Sequence, residues 1–221
     1  MDRETEDPRV VRSRALILDA AAACFIERGY DDTSVEDVAA RAGIAKRTIY
    51  NIYRDKESLF RAAVSLAIDV AERFIREGLI DVGALDDPET ELVDVAVGLA
   101  RAVLLGRVVP LRRLVAAEAS RFPELAADYR ERAPEAVMRS LAAGFATLAT
   151  RGELAIDDPD LAAEHFAFLA MGAELDRRMF GDDRTPPDQV DARAAAGAQA
   201  FLRAYRTRDR AREGGDGRKA K

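Results

Sequence analysis

Apolar residues recur every three to four positions along most of the 221-residue chain, and the strict alternation typical of strands is nearly absent. Prolines begin and glycines end several of these periodic segments, as is usual for helices. The pattern therefore predicts an all-α protein, with helices at about residues 12–29, 34–42, 45–53, 55–78, 89–105, 110–121, 123–151, 159–180 and 187–206.

The stretch from Thr33 to Lys56 predicts two short helices separated by a glycine. Thr33 is suited to cap the first helix, and Glu36, three residues later, is suited to reach back to the cap amide, as in a capping box. Gly43 can adopt the left-handed conformation that closes a helix. The apolar face of the first helix is formed by Val35, Val38, Ala39 and Ala42. This layout predicts a helix-turn-helix.

The second of these helices has an outward face suited to anions and base edges, with Ile49 and Tyr53 as inward anchors. A local basic cluster on a chain of net charge −6 and pI of about 5.1 can orient an encounter with DNA. An ordinary solvated helix face is the alternative, but the cap, the glycine turn and the basic cluster together favour DNA binding. The cluster consists of Lys46, Arg47, Arg54 and Lys56, with one acid, Asp55.

Over about residues 13–64 the sequence resembles the DNA-binding domain of TetR-type transcriptional repressors. The resemblance implies that the cap residue of the second helix, a tyrosine of the third and the lysine opening the fourth contact phosphates, while exposed positions of the third meet bases. These phosphate contacts fall on Thr33, Tyr50 and Lys56, and the base contacts on Lys46, Arg47, Thr48 and Asn51. The matching positions are Phe25, Gly29-Tyr30, Thr33, Val38-Ala39, Ala42-Gly43-Ile44, Thr48, Tyr50, Tyr53 and Lys56.

Two positions depart from the family pattern. Ala45 stands where many members have serine or threonine at the start of the recognition helix, so a side-chain cap or phosphate contact is missing there. Ile52 stands where many members have a polar or aromatic residue, so it either touches a thymine methyl group or packs. Both departures concern how bases are contacted and leave the expected fold unchanged.

The predicted domain organisation has four parts. Residues 1–12 are expected to be a disordered arm, with a basic extension that reaches DNA as the alternative. Residues 13–58 form the DNA-binding domain, and 59–206 form a helical domain for effector binding and dimerisation. Residues 207–221 combine basic residues and glycines with nothing to bury, so a disordered tail is expected.

A second, weaker resemblance concerns the corner between two helices at residues 118–125, which is similar to a short motif in the ligand-binding domains of some family members. It suggests an effector pocket formed by Phe74, Glu118, Arg121 and Phe122, for a small apolar or amphipathic molecule. The alternative is a corner held by packing and by an ion pair between Glu118 and Arg121.

The last two predicted helices indicate a partner. Apolar residues surround nearly the whole helix at 161–173, which an isolated surface helix cannot expose to water. Two such helices from each of two subunits would form a four-helix interface about a twofold axis, which is also how the family dimerises. A dimer implies a near-palindromic operator. The predicted interface consists of Leu161, His165, Phe168, Leu169, Ala194, Ala198, Phe201 and Tyr205.

Several classes of function fit less well. Acyl transfer or hydrolysis needs a nucleophile with a base, and the sole histidine, His165, lies in the predicted interface. The carboxylate pairs Asp157-Asp158 and Asp182-Asp183 lie in predicted loops, and no zinc spacing, phosphate loop or cofactor signature is present. We therefore expect no enzyme, metal or cofactor. A helical enzyme and a helical protein-interaction module without DNA binding remain the alternatives.

Cysteine content and hydropathy indicate the compartment. The single cysteine, Cys24, lies in an apolar helix face, so we expect a core residue and no disulfide framework. No apolar run reaches the roughly 18–20 residues of a membrane span, and the N-terminus is charged rather than signal-like. The expectation is a soluble, cytoplasmic protein with no membrane partner, whose partners are operator DNA, a second copy of the chain and an effector.

Overall fold

The computed structural model describes residues 8–78 and 82–207. Their regular elements are helices, which confirms the predicted all-α class. A 3-10 turn lies at Val82–Ala84 and a π-helical turn at Arg101–Leu105. The α-helices are α1 (Pro8–Arg28), α2 (Val35–Ala42), α3 (Lys46–Ile52), α4 (Lys56–Gly78), α5 (Pro88–Ala100), α6 (Val108–Ala117), α7 (Pro123–Arg132), α8 (Pro134–Thr150), α9 (Pro159–Met171), α10 (Glu174–Met179) and α11 (Pro187–Tyr205).

Two predicted helices are each divided in two. The helix predicted at 123–151 breaks before Pro134, because a proline ring disfavours the helical conformation of the residue before it, here Ala133 at φ −110° and ψ −85°. The helix predicted at 159–180 breaks at Gly172, whose φ of +54° lies outside the helical region.

The start of α1 is also earlier than predicted. Pro8 lies at the first position of α1, where a missing amide proton has no cost, so residues 8–12 of the predicted disordered arm are helical. The rest of that arm, and the predicted tail beyond residue 207, lie outside the described residues.

The chain divides into two compact units. The first comprises the described residues up to Glu72 together with Pro110–Arg130, and the second comprises Arg73–Val109 and the described residues from Glu131 onward. The sequence placed a domain boundary at residue 58, whereas this division lies inside α4 and adds a segment of α6 and α7 to the first unit.

The core of the first unit contains most of the predicted stripe of α1. Ile17, Ala20, Cys24 and Phe25 are buried, whereas Leu16 is 48% exposed. Leu16 is the neighbour of Ile17, and consecutive residues of a helix point about 100° apart, so only one of the two faces the core. Cys24 is a free, buried core residue, as predicted.

The core of the second unit is built around three aromatic side chains. The rings of Phe145, Phe166 and Phe201 lie with centroids 5.0–5.4 Å apart. Helices α9 and α11 approach each other closely at Gly197, where a Cβ atom would overlap the carbonyl oxygen of Leu169. This contact requires a glycine and sets the two helices side by side.

A buried carboxylate joins α10 to α11. Glu174 is 2% exposed, and its oxygens accept hydrogen bonds from Arg178 (3.0 Å), Arg193 (2.9 Å) and the hydroxyl of Thr185 (2.9 Å). Burial by itself raises the pKa of Glu174, but the hydrogen bonds from Thr185, Arg177 and Arg178 outweigh it, and the pKa lies below its usual value of 4.5.

We predict that Glu174→Gln lowers the free energy of unfolding by about 3 kcal/mol at neutral pH, because it removes the buried carboxylate that pairs with Arg178 and leaves that buried guanidinium the longer contact with Asp183 (3.5 Å). A lowered folded pKa stabilises the fold above the unfolded value and loses that contribution as pH falls through the folded value. The difference between Glu174→Gln and the unmodified protein should therefore shrink as pH falls below the usual carboxyl pKa of 4.5 in denaturant titrations. Glu89→Gln, which removes the exposed pair with Arg206, is the control and should cost less than about 1 kcal/mol. An equal cost at both pH extremes would contradict the prediction.

Candidate nucleic-acid interface

Helix α2 begins with a capping box, but one residue later than predicted. The N-cap is Ser34, whose hydroxyl accepts a hydrogen bond from the amide of Asp37 (3.1 Å), while the Asp37 carboxylate accepts one from the amide of Ser34 (2.9 Å). The hydrogen bonds from Ser34 hold the pKa of the Asp37 carboxyl below its usual value. The predicted pair of Thr33 and Glu36 is therefore wrong.

Thr33 has a structural role instead. Its side chain is 1% exposed, and its hydroxyl lies 2.8 Å from the carbonyl oxygen of Gly29 and 3.2 Å from that of Cys24. A buried hydroxyl that donates to carbonyl oxygens at the end of α1 is not available to a phosphate. The predicted side-chain contact of Thr33 with DNA is wrong for this physical reason.

The turn between α2 and α3 matches its prediction. Gly43 has φ +65° and ψ 31°, the left-handed conformation, and its amide donates to the carbonyls of Ala39 and Ala40. Ile44 adds a hydrogen bond from its amide to Ala39 (3.1 Å). The N-cap of α3 is Ala45, without a side-chain hydrogen bond, as its residue type implied.

Helix α3 presents a polar surface above a single buried anchor. Ile49 is 1% exposed, and Tyr53 at the C-terminal cap is half-buried. Tyr50 is 45% exposed and Thr48 is half-buried. The remaining residues predicted to read bases are exposed, namely Lys46, Arg47 and Asn51.

One of these exposed cations is paired. The ammonium of Lys46 donates to the carboxylate of Glu36 on α2, and this hydrogen bond raises the pKa of Lys46 and lowers that of Glu36. The same ammonium lies 5.5 Å from the ring centre of Tyr50. Because both side chains remain about half exposed, phosphate or base groups could replace Glu36 at little cost.

Lys56 opens helix α4, which is capped by Asp55 through a hydrogen bond from the amide of Ser58 (2.8 Å). The Lys56 ammonium donates to the carbonyl oxygen of Asp31 (3.1 Å) and lies 4.5 Å from the ring centre of Tyr30. Lys56 is half-buried, and these contacts hold the ammonium itself at the surface beside the residues that follow α1.

The corner between α6 and α7, predicted to line an effector pocket, packs within the first unit. Phe122 is 2% exposed, with its ring centre 4.8 Å from that of Phe60 and 5.3 Å from that of Tyr30. Arg121 pairs with Asp31 (2.9 Å). These contacts agree with the alternative of a corner held by packing and ion pairing, although the partner of Arg121 is Asp31 and not Glu118. The assignment of Phe122 to an effector pocket stays a prediction.

The other two residues of the predicted pocket differ in what the structure shows. Glu118 is half-buried and donates its backbone amide to the carbonyl oxygen of Leu114 (3.2 Å). The side chain of Phe74 lies outside the described residues.

Helix α9 has one buried and one exposed apolar face. Phe168 is 57% exposed, Leu161 45% and Leu169 42%. His165 is exposed and lies 2.7 Å from the hydroxyl of Tyr205, measured from its Nδ1 atom. The buried face carries Ala162, Ala163, Phe166, Ala167, Ala170 and Met171.

Three residues of the predicted dimer interface lie in the core of their own chain. Ala194 and Phe201 are fully buried, and Ala198 is 1% exposed. Their place in a subunit contact is therefore wrong, because α5 and α9 pack against α11 and the ring of Phe145 on α8 lies against that of Phe201. The exposed apolar face of α9, defined by Leu161, Phe168 and Leu169, stays available for a partner.

Sequence reasoning missed three features of these surfaces. Ser34 and Asp37 have the same spacing as Thr33 and Glu36, so the sequence contained a signal for the correct cap. Phe180 is 91% exposed at the end of α10 and has no local sequence signal. The pairing of Arg121 with Asp31 joins residues 90 positions apart, which no local pattern reveals.

None of the helices in the described ranges combines the length and apolar character required to cross a membrane. The same residues contain no group of three or more His, Cys, Asp or Glu side chains placed to hold a metal ion.

A glycine-closed turn followed by a short helix with exposed basic and amide side chains defines a helix-turn-helix DNA-binding protein. Comparison with known families agrees. Residues 17–63 match the profile of the bacterial regulatory proteins of the tetR family, and residues 90–207 match that of the C-terminal domain of AefR-like transcriptional repressors. The chain belongs to the TetR family of transcriptional regulators, which are DNA-binding proteins and not enzymes.

Individual relatives support the same assignment. A TetR-family regulator from Mesorhizobium loti is 32% identical, with a TM-score of 0.76, and the match covers 91% of this chain and all of that one. The flavonoid-responsive regulator FrrA is 29% identical over 90% of this chain and 99% of its own, with a TM-score of 0.66. The transcriptional repressor AcnR of Corynebacterium efficiens is 39% identical over 82 residues, which are 36% of this chain. That match spans 44% of the length of AcnR, less than half.

Proposed function

We propose that this chain is a homodimeric, cytoplasmic repressor that binds a near-palindromic operator and releases it when a small amphipathic molecule binds. The observation that carries the proposal is the exposed face of α3, where Lys46, Arg47 and Asn51 project beyond the Gly43 turn. Arginine, asparagine and lysine side chains are the ones that read base edges in the major groove. The family assignment supports the same role.

The residues of this surface divide into two roles. Lys46, Arg47, Thr48 and Asn51 lie on α3 and are assigned to base edges. Tyr50, with its half-exposed ring, and Lys56, at the start of α4, are assigned to phosphates. Phosphate contacts position the protein on any duplex, whereas base contacts discriminate between sequences.

We predict different effects for the two groups. Lys56→Ala should weaken binding to operator and random duplex alike and lower the salt dependence by about one unit, because one phosphate contact is lost. Arg47→Ala should cost roughly 1 to 3 kcal/mol on the operator and much less on random DNA, because a base contact is lost. Genomic fragments selected by the protein supply the operator, and fluorescence anisotropy at several salt concentrations measures both effects.

Arg139→Ala is the matched control, since it removes an exposed arginine of α8 that pairs with Glu135. It should leave both affinities unchanged. Lys56→Ala is expected to lose the same affinity on operator and on random DNA. If Arg47→Ala did so too, the division of roles would be refuted. Absence of any salt-dependent binding would favour the protein-interaction module instead.

The dimer is supported by the exposed apolar face of α9. Leu161, Phe168 and Leu169 together expose large side chains that a soluble monomer seldom leaves in water as a contiguous face. A twofold pairing would place two recognition helices about 34–36 Å apart, or a multiple of one turn, so that both enter major grooves of the operator.

Phe168→Glu is expected to shift the protein from dimer to monomer, because a carboxylate buried in a subunit contact has no partner there. At 57% exposure the same charge is tolerated within one subunit, so the thermal midpoint of the isolated subunit should change little. Sedimentation equilibrium measures the shift. Val70→Glu, at a position 49% exposed on α4, is the control and should remain dimeric. A dimeric Phe168→Glu protein would place the interface elsewhere.

Release by an effector is supported by α4, one continuous helix from Lys56 to Gly78 that passes from the first unit into the second. A ligand that prefers one position of this helix would shift the population of DNA-binding molecules by its difference in affinity for the two states. The structural relative FrrA is described as flavonoid-responsive. Titration of the protein–operator complex with amphipathic aromatic compounds, flavonoids among them, should release DNA. A complex that no such compound dissociates would count against this class of effector.

A further inference from the structure

Tyr30 and Asp31 hold two cations from distant parts of the chain. The Lys56 ammonium lies 4.5 Å from the Tyr30 ring centre and donates to the carbonyl oxygen of Asp31 (3.1 Å). The Arg121 guanidinium lies 4.1 Å from the same ring centre and donates to the Asp31 carboxylate (2.9 Å). One ring and one aspartate therefore organise both positive charges.

The Asp31 carboxylate would compete for Lys56 if Arg121 were absent. The Lys56 ammonium already contacts the backbone of Asp31, so the carboxylate of the same residue lies within reach of its flexible stem. Asp31 is 81% exposed, and an unpaired carboxylate there would also repel a phosphate. Arg121 neutralises this charge through a hydrogen bond from a planar guanidinium that is stacked on Tyr30.

Packing holds Arg121 at this position. Its neighbour Phe122 is buried against Tyr30 and Phe60, and the Arg61 guanidinium lies 4.8 Å from the Phe122 ring centre. Arg61 also pairs with Glu124, at the start of α7. The corner between α6 and α7 is therefore anchored on both sides of Arg121.

We propose that Arg121 is a positioning residue for DNA binding: by occupying the Asp31 carboxylate and stacking on Tyr30, it leaves the Lys56 ammonium free to meet a phosphate. The proposal rests on the function proposed above, in which Lys56 contacts DNA. It makes DNA affinity dependent on the α6–α7 corner, a segment that does not belong to the helix-turn-helix.

A double-mutant cycle on random-sequence duplex tests this role. Arg121→Ala should weaken binding about threefold to tenfold and lower the salt slope by about one unit, the loss of one phosphate contact. In the Lys56→Ala background, Arg121→Ala should have no further effect. Adding Asp31→Asn to Arg121→Ala should restore affinity and salt slope, because the competing carboxylate is gone.

Arg61→Ala is the matched control. Arg61 also lies against the Phe122 ring. Its other described partners are the carboxylates of Glu57 and Glu124. Its effect on affinity should be small and independent of Lys56. Thermal unfolding of each variant checks that the DNA affinities being compared are those of folded protein. An Arg61→Ala loss equal to that of Arg121→Ala would assign the effect to packing of the corner and overturn the proposal.

The remaining outcomes separate the two levels of inference. If Lys56→Ala weakens binding and Arg121→Ala does not, the positioning role is overturned while the phosphate contact of Lys56 stands. An Arg121→Ala loss that persists fully in the Lys56→Ala background, or that Asp31→Asn does not restore, also overturns the positioning role. Normal binding by Lys56→Ala overturns the phosphate assignment and the positioning role together.

Discussion

The first unit depends on the contact among four aromatic rings. Phe25 and Tyr30 at the end of α1, Phe60 of α4 and Phe122 of the α6–α7 corner lie with ring centres 4.8–6.1 Å apart. Edge-to-face pairs of this kind add to the stabilisation from burial and fix the relative orientation of the elements that carry them. The rings join α1, the start of α4 and a segment about sixty residues further along the chain.

The attraction of this surface for DNA depends on which of its cations are paired as well as on the total charge. The chain as a whole is acidic, and the cations of this surface have partners: Lys46 is held by Glu36, Lys56 by the carbonyl of Asp31, and Arg54, 92% exposed in the turn after α3, pairs with Asp55 (3.4 Å). Pairing of cations with nearby acids weakens attraction to arbitrary polyanions, because each phosphate must displace a partner. An operator whose phosphates and bases match the positions of these cations can displace several of their partners at once, which favours binding at the operator.

Local sequence determined the helix-turn-helix to a large extent. Gly43, the apolar stripe of α2 and the buried Ile49 follow from helical periodicity and from the conformational freedom of glycine, and the structure agrees with each. The cap shifted by one residue because Thr33 and Ser34 both satisfy the spacing rule, and only the end of α1 decides between them. That end offers two carbonyl groups to the Thr33 hydroxyl.

Tertiary packing determines which faces of the helices are buried and which residues they contact, and helical periodicity alone could not predict this. Helix α9 is apolar on nearly all sides, so the sequence could not tell which face meets α8 and α11 and which stays exposed. For α11 the apolar stripe of Ala194, Ala198 and Phe201 was correctly seen but assigned to the wrong neighbour. The contact of Arg121 with Asp31 depends on a fold that brings residues 90 positions apart together.

The buried hydroxyl of Thr33 has a consequence for genetic screens. A valine at this position would keep the shape of the side chain but leave the carbonyls of Cys24 and Gly29 without that donor, at a cost of about 1–3 kcal/mol. Cells carrying such an allele would lose repression because less protein remains folded, although every group facing the operator is intact. A screen scored only by reporter expression would therefore count Thr33 among the operator contacts, and measuring protein abundance beside the reporter would correct that error.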